Sequence, residues 1–302
     1  AKKYGPGQFD KIVEGNGGRN NAFTSNDHTV YYQSLPSEHL NKIIDLEADR
    51  MQNLLLDPIS FNKERQVVLE ERRMRYENSD RGKIYLNMMK EMFVGTPYGT
   101  SVIGKIKDLK SVTRDQIHKY FKRYYAPNNA IIVIVGDVDA EDTIAEIEEK
   151  FGSIPATGDL EEVKKAQLDK QNFKFKAKLN RSIKIKGQSP NPNFMLAFPA
   201  EKIGTEDAYI LDILASILGG GESSYYSQKY VLTKRPSLAN IYAGNFTLQD
   251  SGIFFFGGEL LSKKSLKHTK KSIYKSSRAW SSKSVPSSFL NKFFIVNHQL
   301  LY

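Results

Sequence analysis

Two rhythms of apolar and polar positions divide the chain. Leu40, Ile43, Ile44, Glu47, Met51, Leu54 and Leu55 recur at helical spacing between Ser37 and Leu56, with Ser37 and Glu38 as a start signal and Asp57-Pro58 as a stop. The same spacing predicts helices over Phe61–Asn78, Lys83–Phe93, Thr113–Tyr124, Glu141–Phe151 and Asp207–Leu218, and a short one at Phe9–Val13 closed by Gly15, Gly17 and Gly18. Between them lie runs that read as strands: Asn21–Tyr32, Ala130–Val135, Arg181–Lys186, Asn193–Phe198, Ala239–Phe246 and Gly252–Phe256. Polar residues punctuate Asn21–Tyr32, so it predicts an edge strand, one that either faces water or pairs with an extended peptide. The uninterrupted Ala130-Ile-Ile-Val-Ile-Val135 predicts a central strand covered on both faces.

Periodicity disappears over 156–172, which is charged throughout and reads as a linker. We therefore expect an N-terminal domain at 1–160, a linker at 161–172 and a second domain at 173–302. Both halves place a helix, a glycine run and a strand in that order. The expected architecture is α+β: two similar domains, each a mostly antiparallel sheet covered by helices on one face. From Ser262 the text changes, with ten serines, eight lysines, no acidic residue and no evident period before Phe289. That stretch reads as an atypical basic tail, disordered or out of its natural frame.

One helix has an odd pattern. In Phe61–Asn78 the apolar stripe is made by Val67, Val68 and Met74, and Glu64 and Glu71 fall on it rather than on the arginine-rich face opposite. Two carboxylates are thus expected to point inward. A buried carboxylate needs a positive partner, which could be an arginine, a shared proton or a metal ion.

Charge narrows the function classes. The net charge is +10, but residues 262–302 carry +9 of it, leaving a nearly neutral body. No aromatic-basic interleaving accompanies it, so a nucleic-acid partner is not expected. No run approaches the roughly 20 apolar residues that a membrane-spanning helix needs, so no transmembrane segment is expected. Cysteine is absent, which removes disulfides and thiolate metal sites.

Four motifs occur in a fixed order: GGxxNAxTxxDxTxYY at Gly17–Tyr32, LEADRM at Leu46–Met51, ERxVVLEE at Glu64–Glu71 and APNNAIIVIVGDVD at Ala126–Asp139. Together they resemble the pitrilysin/insulinase family of zinc peptidases, in particular its short branch of bacterial and processing-peptidase-like members. The resemblance implies a zinc-dependent metalloendopeptidase that hydrolyses peptides or unfolded proteins, with one Zn2+ per active site. It implies Glu71 as the metal ligand and Glu64 as a supporting catalytic carboxylate. It implies Asn21, Ala22, Phe23 and Thr24 as the edge on which a peptide substrate lies as an added strand, and it places Tyr242 near the substrate.

The family's H-x-x-E-H motif is missing here. His28, His39, His118, His268 and His298 are isolated, so the resemblance puts two histidine ligands upstream of Ala1 and leaves this chain, as a fragment, inactive by itself. The alternative is a non-catalytic partner subunit of the same fold that binds peptides or scaffolds a complex. The family also implies a homodimer or a heterodimer with a related subunit. The resemblance of the Lys-Tyr-Gly-Pro-Gly-Gln-Phe opening to that of relatives implies a periplasmic or exported bacterial protein rather than a cytoplasmic one.

Overall fold

The computed structural model describes residues 3–5, 7–158, 162, 181–262, 266–281 and 294–298. It forms two compact units that do not follow chain order: residues 1–67 with 106–172, and residues 68–105 with 173–302. The expected linker at 161–172 lies almost wholly outside the described residues. Residues 68–105 cluster with the second stretch because their helix has its apolar face against that stretch's sheet.

The first unit is built from helices and one hairpin. It holds α1 (Gln8–Gly15), β1 (Arg19–Thr24), β2 (Thr29–Ser34), α2 (Leu40–Asn53) and the start of α3 (Pro58–Arg72). After α4 (Asp80–Met92), which belongs to the second unit, come α5 (Ile106–Ser111), α6 (Arg114–Tyr124) and α7 (Ala140–Phe151). Local chemistry sets these starts. Asp57 caps α3 by accepting from the Ile59 and Ser60 amides at 3.0 and 2.9 Å, with Pro58 in the first turn, where its missing N–H costs nothing. Thr113 and Gln116 form a reciprocal capping box on α6. Two small cores hold the unit: Ile44, Ala48, Phe151 and Ile154 in one, Val13, Ile43 and Leu46 in the other.

β1 and β2 pair antiparallel, from Arg19 opposite Ser34 to Thr24 opposite Thr29, as a sheet of two strands. The expected central strand at Ala130–Val135 is not found. Those residues have no ladder partner among the described strands, and Ile131, Val133 and Val135 are 92, 78 and 92% exposed. A strand exists only where a neighbour takes up its backbone groups, and among the described residues of this unit the hairpin is the one sheet.

The second unit carries a five-stranded sheet in the order β3 (Arg181–Ile185), β7 (Phe294–His298), β4 (Asn193–Ala200), β6 (Gly252–Leu260), β5 (Leu238–Thr247). Only β3 and β7 run parallel; the other neighbours are antiparallel. Helices cover both faces rather than the one expected, because β4 and β6 are apolar at successive positions. Phe194, Leu196, Phe198, Phe254 and Phe256 pack with Leu211, Ala215 and Leu218 of α8 (Glu206–Gly219) and Tyr226 and Tyr230 of α9 (Tyr225–Tyr230). Met195, Ala197 and Ile253 on the other face meet Ile84, Met88, Met89 and Met92 of α4.

The expectation of a disordered tail is corrected over the described residues; 263–265, 282–293 and 299–302 lie outside them. Residues 266–281 form a helix, α10 (Leu266–Ser281), and 294–298 supply β7. Leu266, Thr269 and Ile273 make a narrow inward stripe at helical spacing, which the surrounding lysines and serines hide in the sequence. Ile273 joins the main core, and the Tyr230 and Ser272 hydroxyls share a hydrogen bond of 2.7 Å.

Candidate functional site

Asn21, Ala22, Phe23 and Thr24 make up most of β1, and all four are exposed. The Ser25 N–H donates to the His28 carbonyl at 2.8 Å. Antiparallel alternation then makes Phe23/Val30 and Asn21/Tyr32 the hydrogen-bonded pairs, so the backbone groups of Ala22 and Thr24 point away from β2. Among the described residues β1 has β2 as its one ladder partner, and its outer edge is open. That edge is partly blunted, because the Asn21 side-chain Oδ1 accepts from the Ala22 N–H at 2.8 Å. Phe23, 51% exposed, stands edge-on to His28 at 6.0 Å and tilted to Tyr32 at 6.5 Å.

The opposite face of the hairpin is tied to helices by a network around Glu47 and Arg50, residues of the LEADRM motif to which the sequence assigns no role at the hairpin. Gln33 donates to Glu47 Oε1 at 2.7 Å, and Arg50 donates to Glu47 Oε2 through Nε at 2.9 Å and also through Nη2. The Arg50 guanidinium lies 3.8 Å from the Tyr31 ring centroid. The Tyr31 and Tyr125 hydroxyls share a 3.0 Å hydrogen bond, and burial, reinforced by that bond, pushes the Tyr125 phenol up to about 12. A signal was available: Glu47 and Arg50 stand three apart inside the LEADRM motif, on one face of α2.

The two glutamates lie on α3, two turns apart, but the stripe they share is not covered. No residue of α3 is buried, and Val67 and Met74 are 51 and 70% exposed. Glu64 is exposed. Glu71 is half-buried and pairs with Arg75 at 2.9 Å, one turn on. The neighbouring arginines are engaged elsewhere: Arg65 donates to the Val112 carbonyl at 2.5 Å, and Arg72 donates to the Gly104 carbonyl at 2.8 Å. The inward orientation expected for both carboxylates is thus corrected, since a helix that packs no residue into a core has no interior for them to face.

Two residues after Glu71, where α3 ends at Arg72, the chain widens into a π turn at Arg73–Glu77. Such turns insert a residue into the helical ladder and often mark functional positions. Here α4 presses on it through Gly82, where a Cβ would overlap the Arg75 carbonyl oxygen, and Tyr76 stacks on Tyr85 at 6.4 Å.

The residues present do not by themselves fit a zinc ion. Among the described residues no three of His, Cys, Asp and Glu come together as a metal-holding group, and the Glu71 carboxylate already has a cation beside it. Tyr242 lies on β5 of the second unit. Its ring covers Gly257, where a side chain would overlap it, and sits edge-on to Phe255 at 6.2 Å. The Arg81 guanidinium is 5.8 Å from the ring centroid. Burial raises the Tyr242 phenol and Arg81 draws it partly back. Asn240, two residues earlier on β5, donates to Glu259 at 3.4 Å.

Two family models match the chain: "Insulinase (Peptidase family M16)" over residues 1–105 and "Peptidase M16 inactive domain" over residues 111–281. The chain is 33% identical over 256 residues to "Zinc protease PqqE" of Helicobacter pylori, covering 84% of this chain and 56% of that protein. It is 30% identical over 251 residues to "Uncharacterized zinc protease YmxG" of Bacillus subtilis, covering 83% and 57%. To the "Mitochondrial-processing peptidase subunit beta" of Dictyostelium discoideum it is 23% identical over 261 residues, covering 84% and 54%. It therefore spans just over half the length of these curated relatives. The solved structure of a protease from Helicobacter pylori superposes with a TM-score of 0.82 at 22% identity, covering 98% of this chain and 86% of that one, which is a likeness of fold.

Proposed function

The chain belongs to the insulinase family of peptidases, family M16, and from that premise we propose that it is the peptide-holding part of a zinc-dependent endopeptidase. The observation that carries this reading is the open outer edge of β1, with the backbone groups of Ala22 and Thr24 turned outward. An extended peptide added there gains a ladder of main-chain hydrogen bonds, and the displaced Asn21 side chain is freed for a second contact. In this reading Glu71 gives one carboxylate to the metal and Glu64 supports it. Two histidines are also required, and none of His28, His39, His118, His268 and His298 stands at the spacing that would supply them. Tyr242 serves as a substrate contact in the second unit. Partnership with a related subunit, and an exported location, belong to the same proposal.

The purified 302-residue chain should bind an extended peptide without cleaving it, and should hold no stoichiometric zinc after dialysis. The probe is a fluorescein-labelled peptide of alternating Val and Ser, followed by anisotropy, against the same peptide N-methylated at alternate residues. N-methylation removes the hydrogen bonds of an added strand but leaves side chains intact. Binding of the plain peptide alone supports the edge; equal binding of both overturns it. Tight equimolar zinc would mean that ligands other than Glu71 are present.

A further inference from the structure

We infer that Glu47 and Arg50 are positioning residues for β1: through Gln33, Tyr31 and Tyr125 they fix the tilt of the hairpin and hence the line of its outer edge. The inference rests on reading β1 as the peptide-binding edge.

The hairpin's attachments are of two kinds, packing at its base and directional contacts along its body, among them the Asn20 side-chain amide donating to Asp10 at 2.6 Å. Its base is close-packed: Gly18 is buried, a Cβ there would press on Val13 and Leu35, and Leu35 packs on the Val13, Ile43, Leu46 core. Its body is not. No residue of β1 or β2 is buried, and neither apolar core of the unit includes one. A ribbon held only at its base is free to swing, so the contacts farther along decide where it points.

On the face toward α2 those contacts converge on one carboxylate. Glu47 accepts from Gln33 with one oxygen and from Arg50 with the other, and the Arg50 guanidinium in turn sits over the Tyr31 ring, whose hydroxyl reaches Tyr125. Gln33 and Tyr31 alternate on β2, so the network grips that strand at two points on the same face. Tyr125 is itself stacked on the buried Phe121 at 4.8 Å, which makes it a firm anchor. Across the ladder, Tyr31 stands opposite Ala22, the residue whose N–H points outward. A change in the Arg50 contact at Tyr31 therefore reaches the edge through the two hydrogen-bonded pairs that flank it, Phe23/Val30 and Asn21/Tyr32.

Arginine is required for this, because a guanidinium both forks onto a carboxylate and stacks on a ring, whereas an ammonium does one or the other. Arg50→Lys keeps the charge and should leave the thermal midpoint unchanged. It should weaken binding of the plain Val/Ser peptide about tenfold, while amide exchange over 20–24 and 29–33 speeds up about tenfold and that over 40–53 does not. Wild-type binding and exchange in the variant would overturn the inference. If the wild-type chain binds no peptide but the variant's hairpin exchanges faster, the anchor stands and the peptide-edge reading falls. If neither differs, both fall. Glu47→Gln, which still accepts from Gln33 but loses the charge facing Arg50, should give a smaller shift in the same direction; an unchanged hairpin there, beside a loosened one in Arg50→Lys, would remove Glu47 from the assignment.

Discussion

The two units of the chain are held together in opposite ways. In the second, Phe194, Leu196, Phe198, Phe254 and Phe256 of one sheet are each no more than 3% exposed, and helices close over both faces. In the first, the hairpin that carries the candidate peptide edge buries nothing, and the apolar run Ile131–Val135 stands in the open. The second unit is held by area removed from water, which is non-directional and tolerant of detail. The hairpin is held by a few directional contacts, which set its angle more than its stability. A strand edge that must accept a partner cannot be covered, so the candidate binding face falls in the less buried unit.

The largest effect separates those two regimes directly. Phe256→Ala, which removes a fully buried ring from the second unit, should cost about 3–5 kcal/mol. Val133→Ala, at an equally apolar strand-like position in the first unit, should cost under about 0.5 kcal/mol. Urea midpoints of the two variants test the contrast. A comparable loss from Val133→Ala would mean that the run is covered in solution and that the two units do not differ in this way.

Much of this was legible in the sequence because it rests on local rules. The helices expected at Thr113–Tyr124, Glu141–Phe151 and Asp207–Leu218 are found at Arg114–Tyr124, Ala140–Phe151 and Glu206–Gly219, since caps and periodicity are written in adjacent residues. The strands expected at Asn193–Phe198 and Gly252–Phe256 run on to Ala200 and Leu260. What was not legible depends on neighbours distant in sequence. Ala130–Val135 has the composition of a strand, but pairing is a property of two segments. The Leu266, Thr269, Ile273 stripe was lost among lysines because three inward positions suffice for a helix docked on an existing sheet. At the candidate site, the Glu71 and Arg75 pairing was readable as an i, i+4 spacing, whereas the reach of Tyr31 to Tyr125, ninety-four residues apart, was not.

A middle-sized effect is expected at alkaline pH, where both units hold a tyrosine raised from 10.0 to about 12: Tyr125 in the first and Tyr85 in the second. The main cause for each is burial, which disfavours the phenolate. With a folded pKa above the unfolded one, the stabilising contribution is complete below pH 10 and is lost as pH rises from about 10 to about 12. The two losses should differ in kind. Ionising Tyr125 removes its hydroxyl as a donor to Tyr31 and puts a charge into a half-buried position, which should loosen the hairpin, read as faster amide exchange over 29–33. Ionising Tyr85 should lower the global midpoint. Tyr125→Phe, which keeps the ring but cannot ionise, should remove the hairpin response and leave the global one; a hairpin response that survives would detach Tyr125 from the anchor.

The smallest effect concerns the glutamate assigned to the metal. Glu71 and Arg75 face each other one turn apart at 2.9 Å, with side chains 40 and 66% exposed, and exposed pairs of this spacing contribute about 0.3–0.5 kcal/mol. Glu71→Gln should therefore shift the unfolding midpoint by no more than that, and Glu64→Gln, at an exposed position, by less. A loss of several kcal/mol would make Glu71 a structural ion-pair residue and sink its assignment as a ligand, because a buried pair loses about 3–5 kcal/mol when one partner is removed. The small value also has a functional side. A carboxylate restrained by so weak a pair can leave Arg75 for a stronger cation at little cost, which a carboxylate locked in a buried network could not do.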